Sequence, residues 1–94
     1  MIDGELYILE HNPRCVFAYK SCDDTHIYHY ACVNASNEVK IPGIGMSTGR
    51  LSKGGTRLAD DSERERFYIR LHSDGYHYNI ANKKVIRIST GELI

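Results

Sequence analysis

CDDTHIYHYAC, residues 22–32, packs two cysteines and two histidines into eleven positions. Its reading decides whether the chain is organised round a metal ion or round a sheet. A structural zinc needs four Cys or His ligands converging in a tetrahedron. Residues 26–33, HIYHYACV, are instead β-branched and aromatic, the composition of a half-buried strand. Strand parity then sends His26 and Cys32 to one face and His29 to the other, too far apart to chelate one ion. Ile27, His29, Ala31 and Val33 share a side, with Tyr28, Tyr30 and Cys32 opposite. Cys22 and His26 remain as the one pair worth probing, and two ligands are not a site. No metal and no cofactor are expected.

Working outward, the flanking segments fall into the same pattern. Leu6-Tyr7-Ile8-Leu9 and residues 15–19 are apolar runs separated by Asn12-Pro13-Arg14, which is turn chemistry. Small polar residues at 34–37 lead to a fourth short strand at 38–41. Four strands on short connections predict an antiparallel meander. Residues 42–57 hold many of the glycines without period 2 or 3.6, and predict a long flexible loop. The pattern Gly43-x-Gly45-x-x-x-Gly49 misses the dinucleotide-binding spacing, and no Gly-Lys-Ser/Thr follows it for a P-loop.

A helix over about 60–74 follows. Asp60 caps it with Glu63 reaching back, Asp61 favours the positive end of its dipole, and Gly75 stops it. Phe67, Leu71 and the stem of Arg64 form one stripe, with Tyr68 at its edge, that docks on the sheet. Ile69 points away. Beyond it, Tyr76, Tyr78 and Ile80 alternate towards the core, Asn82 and Lys83 turn the chain, and residues 85–88 return as a C-terminal hairpin. The expected fold is α+β in one domain: strand-rich 1–41, Gly-rich loop 42–57, helix plus hairpin 58–90. Its sheet is small, bent and antiparallel, in the manner of a partly open SH3-like barrel.

The 94 residues carry 12 basic and 12 acidic side chains, so net charge selects no partner. Nine basic residues lie beyond Gly49 against six acids, which gives the second half a faintly basic face. On that face Arg66, Arg70, Lys83, Lys84 and Arg87, joined by Arg50 and Lys53 from the loop, form the candidate nucleic-acid surface. No apolar run approaches the roughly 20 residues that span a bilayer. Three cysteines and a first stretch without a basic then apolar leader predict a cytoplasmic chain with free thiols.

The helix start Leu58-Ala59-Asp60-Asp61-Ser62-Glu63-Arg64-Glu65, followed by Leu71, Gly75-Tyr76-His77-Tyr78-Asn79 and Lys83-Lys84-Val85, resembles a module of small uncharacterised proteins from Bacteroidales bacteria and their phages. The resemblance covers residues 58–88. Tyr78 stands where that group usually has Trp, and Asp60 where it usually has Thr. It implies a phage or mobile-element origin, an SH3-like segment ahead of the module, and no particular activity. No acid, base and nucleophile gather in one place, so an enzyme is the least supported class. The expected function is a non-catalytic binding module that takes a protein through Ile69 or the loop; the alternative is a nucleic-acid-binding accessory protein.

Overall fold

The computed structural model describes residues 1–41, 49–50 and 55–94. Strands β1 (Leu6–Leu9), β2 (Asn12–Cys22), β3 (His26–Val33) and β4 (Val39–Lys40) form the expected antiparallel meander. Two further strands fall in or overlap the stretch read as loop. β5 (Gly49–Arg50) pairs with β3, and β6 (Thr56–Leu58) pairs with β1. The chain thus returns to its first strand, in the order β4-β3-β2-β1-β6 with β5 also on β3. Residues 42–48 and 51–54, and with them most of the flexible-loop reading, lie outside the described residues. No ladder among the described residues joins β6 to β4 or β5, so the sheet is an open one and the fold is α+β.

Asn12, Pro13 and Arg14 do break the ladder, but as a bulge within β2 rather than as the turn. Leu9 pairs with Asn12 while Ile8 pairs with Val16, so Glu10 and His11 make the turn. Proline has no N–H to donate, and a bulge is one of the few places a strand accepts it. A second irregularity corrects the parity of β3. Ala18 pairs with Ala31 and Tyr19 with His29, which leaves Tyr30 as an extra residue. Below it the alternation inverts, and His29 shares a face with Ile27 and Cys32.

Both faces of the sheet are apolar, which is why β1 is buried at all four positions. One layer holds Leu6, Ile8, Val16, Ala18, Ala31 and Val33; the other holds Tyr7, Leu9, Cys15, Phe17, Ile27 and Cys32. Helix α1 (Asp61–Ser73) lies on the first layer. Asp60 Oδ1 accepts from Glu63 N at 2.8 Å, and Asp60 N donates to Glu63 Oε1 at 2.9 Å, completing the capping box. Gly75, at φ +88°, ends the helix as expected. Phe67 and Leu71 are fully buried, each contributing about 2–3 kcal/mol of apolar burial. Arg64 reaches Glu5, just ahead of β1, at 2.6 Å.

Hairpin β7 (Tyr76–Asn79) and β8 (Lys84–Arg87) forms a separate small sheet. Tyr78 joins it to the main core: its ring meets Phe67 edge-on at 6.1 Å, and its hydroxyl donates to the Gly4 carbonyl at 2.6 Å. Gly4 needs to be glycine there, because its φ is +89° and an added Cβ would stand 2.7 Å from Lys83 Cγ. Residues 92–94, where no element is expected from the sequence, run back along β8. Arg87 N donates to the Glu92 carbonyl and Ile94 N to the Val85 carbonyl, with Ile86 bridged to Leu93.

Candidate docking surface

The basic residues expected to form one face do different things. Arg66 donates to the Arg14 carbonyl and to Asn37 Oδ1, at 3.3 Å for the latter. One turn on, Arg70 donates to the Asn37 carbonyl at 2.8 Å and pairs with Asp74 at 2.7 Å. Asn37 sits in the β3–β4 turn with φ 62°, so these two arginines fasten the helix to the sheet's loops. Lys83 pairs with Asp3 at 3.1 Å, and Arg87 lies 5.4 Å over the Tyr76 ring. Lys84 is exposed at the hairpin's end. Arg50 is placed in β5 by its backbone alone, and Lys53 lies outside the described residues. Glu63, besides closing the capping box, pairs with Arg57 at 2.8 Å.

The pair left over from the metal reading is also occupied. Cys22 Sγ accepts from the Tyr19 hydroxyl at 3.3 Å, and His26 Nδ1 is 2.7 Å from Thr25 Oγ1. Asp23 organises this turn by accepting from Thr25 N, His26 N and the Tyr28 hydroxyl. Those donors hold its carboxyl far below the usual range, with the Tyr28 hydrogen bond the largest cause. No cluster of three or more metal-ligating side chains occurs among the described residues.

Ile69 behaves as the sequence expects: it is 58% exposed. It does not stand alone. His72, three residues on, is its neighbour on the helix surface. His72 Nε2 lies 2.9 Å from His77 Nδ1 in β7, one ring donating and the other accepting. His77 faces Ile86 across the hairpin, and Ile86 is bridged to Leu93. Cross-strand partners share a face, so His77, Ile86, Leu93 and, two positions along from Ile86, Ile88 all lie on the hairpin face opposite Tyr78 and Val85. Ile88 is 51% and Leu93 64% exposed.

The outcome is a strip, Ile69–His72–His77–Ile86–Leu93 with Ile88 beside it, that crosses from the helix to the hairpin. Water meets Ile69, Ile88 and Leu93 although the same hairpin buries its other face at Tyr78 and Val85. A contiguous run of this kind, edged by polar groups, is the usual mark of an interaction surface. Sequence reasoning found Ile69 and missed the rest, because adjacency depends on the hairpin docking beside the helix. The repeated isoleucines at 86 and 88 were the available signal. No helix among the described residues is long and apolar enough to cross a membrane. In comparisons of the chain with family descriptions, with curated proteins and with solved structures, nothing matches.

Proposed function

We propose that the chain is a non-catalytic, cytoplasmic protein-binding module that docks its partner on the strip from Ile69 to Leu93. A phage or mobile-element origin, implied by the resemblance of residues 58–88, is part of the same reading. The observation that carries it is the half or greater exposure of Ile69, Ile88 and Leu93 along one connected face. Large apolar side chains at the centre of an interface supply most of its binding energy, and histidines beside them supply directional hydrogen bonds.

Support for the nucleic-acid alternative is weaker. Arg66 and Arg70 already hold carbonyls of the chain itself, which leaves fewer cations on the helix to displace counterions from phosphates.

A photo-crosslinking amino acid placed at Ile69 or Leu93, with Asp24 as a control on the β2–β3 turn, tests the reading in cells that express the protein. One discrete adduct of the same mass from both strip positions and none from the control is expected. Equal or absent labelling at all three positions would remove the proposal.

A further inference from the structure

The other face of the same hairpin closes a second feature, separate from the docking strip. Where β8 approaches β2 and β3, a cavity of about 200 Å³ is lined by Lys20, Lys83 and Lys84 together with Tyr30, Val85 and Ile94, and by Ile41 beyond β4. Lys20 and Lys83 bring two cations to one small space, which Lys84 also borders beside Val85, in a chain whose net charge is zero. Lys20 Nζ lies 5.8 Å over the Tyr30 ring and Lys83 holds Asp3. Asp3 also accepts from the Tyr30 hydroxyl and lies near Lys20, so one carboxylate stands against both lysines and a single positive charge remains.

Folding does not call for that arrangement. Like charges brought together repel, and ordering lysine side chains costs entropy. Two features define what would relieve the repulsion. An anionic group satisfies the ammonium groups, which are point charges with three donors each and suit a carboxylate or a phosphate. An apolar body satisfies the rest of the wall, where the Tyr30 ring, Val85, Ile41 and Ile94 present carbon. The volume equals the liquid share of roughly six or seven waters, enough for a small ring or a short branched chain.

We propose that this cavity binds a small amphipathic anion, a carboxylate or phosphate carried on a compact apolar body. Lys20 and Lys83 receive the charged group, and Tyr30, Val85 and Ile94 receive the apolar part.

Titration of the full chain with phenyl phosphate and with benzoate, followed by amide NMR, tests it. Saturable shifts centred on Tyr30 and residues 83–85 are expected with at least one of the two, and the tighter of them identifies the anion class. Benzyl alcohol, which keeps the ring and lacks the charge, should bind at least tenfold more weakly, as should inorganic phosphate, which keeps the charge and lacks the ring. The Lys20→Gln/Lys83→Gln double variant should retain the wild-type pattern of shifts elsewhere and lose at least tenfold in affinity. Absence of saturable shifts, equal binding of benzyl alcohol or inorganic phosphate, or a folded double variant with unchanged affinity would overturn the assignment.

Discussion

His29 lies in the second apolar layer at 2% exposure, and burial pushes its imidazolium down to about pKa 4. The unfolded chain binds its proton near 6.5. Above pH 6.5 both states are neutral at this site and the folded state keeps its full stability. As pH falls from 6.5 towards 4 the unfolded chain gains a proton that the folded one refuses, so stability falls. The expected loss is about 3 kcal/mol across that window. Urea midpoints measured from pH 7 to pH 4 should show this slope in the wild type and a flatter one in His29→Gln; equal slopes would place the titration elsewhere. Two other single residues carry comparable weight. Tyr78→Phe deletes the hydrogen bond to the Gly4 carbonyl and should cost about 1–2 kcal/mol. Gly4→Ala forces a Cβ into a left-handed backbone against Lys83 and should cost at least about 1 kcal/mol, read from the same denaturation curves.

At the level of elements, helix α1 is held from three directions: its cap, its buried stripe and its two arginines. Asp60→Ala removes the capping oxygen and should cost about 1 kcal/mol. Arg70→Ala frees the Asn37 carbonyl and Asp74, and for side chains this exposed it should cost about 1 kcal/mol, detected as a lower urea midpoint without change of fold. The helix was legible residue by residue, since Asp60, Glu63, Phe67, Leu71 and Gly75 all act locally. The strands were legible in position but not in register. Nothing local to 26–33 signals that Tyr30 is extra, because a bulge is set by what β2 offers opposite it. β6 escaped notice for a related reason: three residues, Thr56–Leu58, become a strand through the free edge of β1, fifty residues away. The partners of Arg66 and Arg70 escaped notice likewise, because these arginines find their carbonyls only once the helix has docked.

Across the whole molecule, charge and apolar surface are divided between opposite sides of one hairpin. Tyr78 and Val85 close the core, lysines gather where Val85 and Ile94 meet the sheet, and Ile88 and Leu93 face water, with Ile86 half-buried between them. With no net charge and with Arg66 and Arg70 engaged within the chain, affinity for a mixed-sequence DNA or RNA oligonucleotide should be negligible at about 50 mM salt and show no steep decline towards 200 mM, as fluorescence anisotropy would register. The proposed function requires that the outward strip bind a partner and contribute little to folding. The direct measurement takes one variant, Ile69→Asp/Leu93→Asp, and reads two quantities: its urea midpoint and the yield of partner adduct from a photo-crosslinker at Ile88. Both altered side chains already stand in water, so stability should stay within about 0.5 kcal/mol of wild type while the adduct falls at least tenfold. A variant that loses several kcal/mol, or one that keeps its adduct, would contradict it.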